Sequence, residues 1–332
     1  MDDERKVLWK KNIPTSKEAA LSAIKEIGLP VADMQSAIEP VSGWGWYGEV
    51  LEEAGLKVHL VNVYKAKLIS GTKLKNDKVD SKILAEMLRS DFLPTAYLAP
   101  RATRDLRAFI RGRSFLVRLR TRVRSRVHAI LTKHGLLCPW TDLFGKQGLL
   151  WLKAQQLLSP HKEELLQLLA VYQELSANID TSNRACAEAL ATSKEAQLLV
   201  TIPGVGPVTA LMIVAEVGDF HRFPSPEKLA CFAGLIPSSH SSGERDRFGH
   251  ITHRGSVWLR SALVESTGKV SPKWGYLKTF YDTIKEKKGT NIARVALARK
   301  ILMLSWHLVT KNQTWNAKGG GDSVKTETSH IS

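Results

Sequence analysis

The sequence predicts an α/β amino-terminal domain, then a long helical segment, then a mainly α-helical carboxy-terminal domain. Three observations carry this. Short strand-like runs alternate with helical ones over the first hundred residues, as in a sheet flanked by helices. Residues 101–134 keep a helical pattern, with Phe109, Leu116, Val123 and Ile130 recurring every seven residues like a coiled-coil seam. Beyond 195, apolar runs of helical length are separated by Gly and Ser-Pro breaks.

At 332 residues the chain has room for about two or three domains of roughly 100–200 residues each. The boundaries read as 1–100, 101–195 and 196–312, with a polar tail over 313–332. Lys and Arg outnumber Asp and Glu by 48 to 32, a net charge of +16, which calls for a polyanionic partner. No apolar run approaches the roughly 20 residues of a spanning helix and no signal peptide opens the chain. The expected polyanion is therefore nucleic acid, with no membrane involvement, in the cytoplasm of a bacterial-type cell and associated with its nucleoid. Cys138, Cys186 and Cys231 are far apart and odd in number, which supports neither a disulfide framework nor a Cys-based zinc site. They read as buried thiols.

Residues 7–14 read as a short strand, and Thr15-x-x-Glu18 as a capping box that opens a helix to about Ile27. Residues 33–38 form the next apolar element and deliver Glu39 at its end. The turn at 40–45 opens a helix to about Ala54, which Gly55 stops. Residues 57–63 are a near-continuous buried strand of the parallel-sheet kind. In 77–88, Val79, Ile83, Leu84 and Met87 follow a helical period, so Asp77 and Asp80 share one face. Paired carboxylates so placed can reach a common Mg²⁺, with Glu39 as a further oxygen ligand. Phosphodiester cleavage uses such acids, because the metal they hold polarises the phosphoryl group and generates hydroxide. The plainer reading is a solvated helix start whose aspartates complement the dipole.

The helix over 101–134 carries Arg104, Arg107, Arg111, Arg113, Arg118, Arg120, Arg122, Arg124 and Arg126 against one acid, Asp105. Self-repulsion would destabilise it without counter-ions, which a nucleic-acid backbone supplies; the alternative is an exposed helix made soluble by arginine. A break over 135–148 contains Pro139-Trp140, and Ser159-Pro160 reads as the N-cap and N1 pair of a second long helix. Its stripe is Leu165, Leu168, Leu169, Tyr172, Leu175 and Ile179, reaching about Leu190. The two long helices form either an antiparallel hairpin or a pairing between protomers.

Gly204-Val205-Gly206 is a tight turn between helices, and the N–H groups and dipole of the following helix attract phosphate. Taken alone it is also an ordinary helix-breaking turn. A helix over 208–217 follows, and Ser225-Pro226 caps a short one that ends at Gly234. The serine loop 238–243 is flanked by Arg245, Arg247, Arg254 and Arg260, so a hydroxyl there sits beside a cation-bound phosphodiester as a candidate nucleophile. Residues 246–255 read as irregular and basic. His250 and His253, without a third ligand, read as surface or DNA-contacting rather than metal-binding. Amphipathic helices return over 256–270, with Trp258, Leu259, Leu263 and Val264, and over 291–309, with Ile301, Leu302, Leu304, Trp306 and Leu308. After Trp315 the chain is too poor in apolar residues to pack and reads as disordered.

Thr201-Ile202-Pro203-Gly204-Val205-Gly206-Pro207, Phe232-Ala233-Gly234-Leu235-Ile236-Pro237, Ser241-Ser242-Gly243, Gly249-His250-Ile251-Thr252-His253-Arg254-Gly255 and Leu259-Arg260 together resemble the carboxy-terminal domain of the insertion-sequence 110/1111 family of DEDD transposases. The upstream part resembles that family's RNase H-like (RuvC-like) domain, with Ile38-Glu39-Pro40 at its glutamate motif and Asn76-Asp77-Lys78-Val79-Asp80 at its paired aspartates. The resemblance extends to about Val309. It implies an RNA-guided, homo-oligomeric DNA recombinase with Mg²⁺ as cofactor, held by Glu39, Asp77 and Asp80. Ser242 is then the nucleophile, with Ser241 as second choice, and Gly204, Gly206, Arg245, Arg254 and Arg260 contact DNA at and beyond a helix-hairpin-helix-like turn. It places the arginine-rich helix in a coiled-coil segment used for assembly and for RNA or DNA contact.

One departure carries an expectation of its own. The family's first acidic residue lies on an opening strand with a pattern like Gly-Ile-Asp-Val-His, whereas residues 1–6 here resemble the turn after the second strand. The RNase H-like domain is thus expected to be incomplete at its amino terminus, through a late start codon or a truncated copy, and in the latter case to bind nucleic acid yet fail to cut it. The alternatives to an active transposase are a non-catalytic nucleic-acid-binding remnant and a junction-resolving nuclease, which would be indifferent to Ser242.

Overall fold

In the computed structural model, which describes residues 1–70, 77–242, 245–252 and 255–315, the chain is mostly helical with few strands. It divides into two units, Met1–Pro100 and Arg101–Ser332.

In the first unit, residues 7–14 form no strand; Val7 and Leu8 are 45% and 46% exposed. Alternation alone does not make a strand when no ladder partner takes its N–H and C=O groups. Helix α1 (Lys17–Ile27) starts one residue later than the capping-box reading requires, because Ser16 Oγ and not Thr15 accepts the Ala19 N–H, at 3.2 Å. Gly28 ends it in the left-handed region. Strand β1 (Gln35–Ile38), helix α2 (Trp44–Glu53) and strand β2 (Lys57–Leu60) follow, and the two strands pair in parallel from Gln35↔Lys57 to Ile38↔Leu60. The second strand is shorter than its apolar run. Val61 bridges to Thr95, the Asn62 N–H donates to the Pro94 carbonyl at 2.7 Å, and Val63 already begins helix α3 (Val63–Ser70).

Helix α4 (Asp77–Arg89) packs on β1. Successive strand residues face opposite sides, and the two faces of β1 are used accordingly. Ile38 joins Leu51 and Leu56 in a core with Trp44 and Tyr47. Ala37 joins Val61, Ala66 and Met87 with Ile83 and Leu84 of α4. The strand is therefore held between α2 and α4.

In the second unit, α5 (Arg101–Lys133), α6 (Lys146–Ala154) and α7 (His161–Thr192) form a hairpin. The long helices run antiparallel within the chain: Arg113 Nε donates to Asn183 Oδ1 at 2.8 Å and Arg126 Nε to Glu164 Oε1 at 2.6 Å. Of the expected seam residues only Ile130 is fully buried; Ile110, Val127 and Leu131 are the other deep positions on α5. Ser159 does not cap α7, whose flanking residue is Pro160 and which has no side-chain cap bond. The stretch read as a break holds α6, and Leu152 of α6 closes a small core with Val127, Leu131, Leu165 and Leu169. Of the three thiols only Cys186 is buried; Cys138 is half-buried and Cys231 exposed.

The remaining elements are α8 (Lys194–Leu199), α9 (Pro207–Val217), α10 (Pro226–Phe232), β3 (Pro237–Ser242), β4 (Arg245–Ile251), α11 (Val257–Ser266), α12 (Tyr276–Lys288) and α13 (Thr290–Thr310). Ser193, Ser225 and Ser256 cap α8, α10 and α11 with their hydroxyls. The core is built from α9 and α13, with Leu211, Ile213, Leu297, Ile301 and Leu302 wholly buried, and it takes in Ile110 from the base of the hairpin. The serine loop and the basic stretch after it are both strands, paired antiparallel from Ser242↔Arg245 to Pro237↔Ile251 with an irregularity near Ser238. They lack the apolar alternation that identifies strands; the available cue was the two-residue connection Gly243-Glu244, of hairpin length and composition. The last residues of the polar tail, 316–332, lie outside the described residues. Among the described residues no helix is long and apolar enough to cross a membrane.

Candidate active site

Glu39 follows β1 directly and is partly exposed, its carbonyl accepting the Val41 N–H at 2.8 Å. The Val61 N–H donates to Ile38 O at 2.9 Å, so pairing with β2 holds the strand up to the residue before this glutamate. Asp77 and Asp80 lie in the first turn of α4, which packs on the same strand through Ile83, Leu84 and Met87 against Ala37. The side chains of Asp77 and Asp80 lie outside the described residues. Among the described residues no group of three or more His, Cys, Asp and Glu is placed to hold a metal. As donors, three carboxylates are hard oxygen ligands and suit Mg²⁺ better than a thiophilic ion. Asp2 is engaged elsewhere, its Oδ1 accepting the N–H groups of Glu4 at 3.1 Å and Lys6 at 2.8 Å.

Ser242 ends β3, and the ladder pairs it with Arg245, Ser241 with Asp246, His240 with Arg247 and Ser239 with Phe248. Directly opposed residues share a face and the side-chain period along a strand is two. Ser242, His240, Arg245 and Arg247 therefore belong to one face of the ribbon, and Ser241, Ser239, Asp246 and Phe248 to the other. The side chains at 239–242 and 245–248, and all of Gly243, His253 and Arg254, lie outside the described residues.

Arg260, expected at the DNA surface, is buried at 8% exposure in α11. Its Nη1 donates to Ala233 O at 3.0 Å and to Gly255 O at 3.3 Å, and burial holds its pKa below the ordinary arginine value. The sequence groups it with the other arginines around the serine loop, although the apolar positions Leu259 and Leu263 of the same helix flank it.

The glycine turn separates α8 from α9, and its two glycines answer to different demands. Gly204 has φ +87°, and a Cβ there would lie 2.1 Å from Trp274 Cη2. Gly206 has φ −87°, is exposed, and a Cβ there would meet nothing within 4 Å. The first-turn amides of α9, at Val208 and Thr209, have no carbonyl one turn back within the helix. Trp274 was missed by sequence reading; the spacing Trp274, Leu277, Tyr281 is the helical signal that would have found it and α12.

The arginines of α5 have many partners within the chain. Arg111 grips Glu216 with two bonds of 2.7 and 2.8 Å, Arg107 donates to the carbonyls of Ala215 and Glu216, and Arg118 stacks 4.0 Å above the Trp258 ring. Arg124 lies 4.7 Å over Phe144. The counter-charges thus come partly from α9 and α7, far along the chain, which corrects the view that the helix is unbalanced. Arg122 remains exposed.

A family model described as transposase, of the DEDD IS110 type, matches residues 1–135, and one described as the IS116/IS110/IS902 transposase family matches residues 196–282. The chain is 27% identical over 328 residues to the transposase for insertion sequence element IS1111A of Coxiella burnetii, covering 95% of this chain and 86% of that one. It is 25% identical to the transposase for IS1328 of Yersinia enterocolitica, over 84% of this chain and 85% of that one. It is also 34% identical over 128 residues to the pilin gene-inverting protein of Moraxella bovis, covering 37% of this chain and 39% of that one.

Proposed function

The chain belongs to the DEDD transposases of the IS110 family, and from that premise we propose that it cuts and rejoins DNA with Ser242 as the nucleophile and Glu39, Asp77 and Asp80 as the Mg²⁺-binding acids. The register of the β3–β4 ribbon supports the choice of serine. Ser242 shares a face with Arg245 and Arg247, whereas Ser241 shares one with Asp246. A hydroxyl attacking a dianionic transition state gains from cations on its own face and loses from a carboxylate.

In the reaction the Ser242 oxygen bonds to phosphorus and gives up its proton. One ester oxygen of the DNA leaves and takes up a proton as a free hydroxyl. The phosphoserine link keeps the energy of the ester, so attack by a different DNA hydroxyl reseals the strand and releases the serine. Bound Mg²⁺ would supply Lewis-acid stabilisation of the developing charge, and Glu39 at the end of β1, with α4 packed on the same strand, supports that assignment. A parallel strand pair with a helix on each face of β1 supports an RNase H-like reading of the first unit. Gly206 and the open start of α9 would receive a phosphate of the DNA backbone, making the turn a helix-hairpin-helix element, with Arg254 as a further contact. The exposed arginines of α5 would contact a structured guide RNA, the α5–α7 hairpin would be the coiled-coil segment through which copies assemble, and the protein would work in the cytoplasm.

The test is Mg²⁺-dependent recombination on a plasmid bearing the element's ends. Ser242→Ala is expected to reduce strand transfer by at least about 10³-fold, with Asp77→Asn and Glu39→Gln similarly impaired. Unchanged strand transfer by Ser242→Ala would remove the nucleophile, and cleavage without rejoining would indicate a nuclease.

A further inference from the structure

We propose that Arg260 is a positioning residue for the serine hairpin: its buried guanidinium ties together the two roots of the β3–β4 ribbon and so sets where Ser242 meets the scissile phosphate. This rests on the reading of Ser242 as nucleophile. Arg260 lies on a helix whose neighbours Leu259 and Leu263 are wholly buried. An apolar side chain would fill such a place at lower cost, since a buried cation must have its donors satisfied. Two of its bonds are aimed at the roots of the hairpin. Ala233 precedes β3 and Gly255 follows β4, each by four residues, and one nitrogen reaches both carbonyls.

The rest of the root is equally close. The Leu235 N–H donates to Ala230 O at 3.1 Å and the Thr252 N–H to Ile236 O at 3.0 Å. Gly255, at φ +86°, presses so near α10 that a Cβ would lie 1.9 Å from Phe232 O. The entering leg, the returning leg and the end of α10 therefore meet around one buried cation. Lysine carries the charge, but as a compact ammonium on a shorter, flexible stem rather than a rigid planar guanidinium that holds Nη1 against both carbonyls.

The experiment compares Arg260→Lys and Arg260→Ala with the full-length wild-type protein. Melting temperature, affinity for element-end DNA, single-turnover strand transfer and amide exchange are all read. Arg260→Lys is expected to melt within a few degrees of wild type and to bind DNA with nearly unchanged affinity. Its strand-transfer rate should fall about 10- to 100-fold, the scale of a 1 Å misplacement at a reacting centre. Exchange should quicken at 237–251 but not in α13, and added guanidinium should partly restore the rate of Arg260→Ala. A lysine variant with wild-type rate, or one whose rate falls only with its folded fraction while exchange rises uniformly, would overturn the proposal. If Ser242→Ala proves fully active, the nucleophile is lost as a reading, and hairpin exchange still decides whether Arg260 holds the ribbon.

Discussion

Replacing each glycine of the α8–α9 turn by alanine separates a fold requirement from a binding requirement. At Gly204 the backbone is at φ +87°, where an L side chain costs about 1–2 kcal/mol. The added methyl would also sit 2.1 Å from Trp274 Cη2 and 2.4 Å from Cζ2, so the indole must move, an overpacking of about 1–3 kcal/mol. Together these give roughly 2–5 kcal/mol, and at about 2–4 °C per kcal/mol for a unit of this size Tm should fall by roughly 4–20 °C. At Gly206 neither cost applies, since φ is −87° and the space is open; losing a glycine N-cap costs no more than about 1 kcal/mol. Gly206→Ala should therefore melt near wild type yet bind duplex DNA more weakly at fixed salt, because the methyl stands in front of the helix start. Thermal melting by circular dichroism and anisotropy titration with a labelled duplex measure the two effects. Equal melting losses for the two variants, or an unchanged Tm for Gly204→Ala, would refute the reasoning about Trp274; wild-type DNA affinity in Gly206→Ala would refute the binding role.

The Arg111–Glu216 pair is unequally buried, with side chains 38% and 3% exposed. Arg111→Ala strands a buried carboxylate and should cost about 3–5 kcal/mol, whereas Glu216→Gln leaves a half-exposed cation that water reaches and should cost about 1 kcal/mol; denaturant melts that reverse this order would contradict it. His307 is pushed below the ordinary histidine pKa mainly by burial, with Lys311 and Lys300 adding to the effect and Glu227 opposing it. A depressed folded pKa means the unfolded chain binds the proton more readily, so this contribution is fully present above about pH 6.5 and is lost as pH falls through the folded value. Stability measured from pH 7.5 downward should decline, and His307→Gln should flatten the decline. Thiol labelling of the native protein should modify exposed Cys231 first and leave Cys186, whose pKa burial raises, unmodified until unfolding; early loss of the Cys186 thiol would contradict its burial.

The elements most legible in the sequence were those whose signals are local. The long helix over 101–134 was found to within a residue of its end at Lys133, and the Ser225 cap, the helix end at Ile27 and the glycine turn fell where the sequence placed them. Elements set by distant contacts were misread. The arginines of α5 could not be balanced by counting acids within the helix, because Glu216 and Glu164 come from other helices. The apolar run after β2 turns into a helix at Val63 once residues 94–96 take its last pairing positions. The serine ribbon was invisible as a strand because its sequence lacks the apolar alternation that marks one, and its pairing appears only in the register. Arg260 reads as a surface cation until the carbonyls that receive it are known.

The most direct test of a serine-linked mechanism is to trap the reaction with DNA whose resealing hydroxyl is removed and to map the adduct by peptide mass spectrometry. A covalent nucleotide on Ser242, absent from Ser242→Ala, is the expected result. An adduct on another side chain, or rejoined DNA with no adduct at any stage, would contradict it.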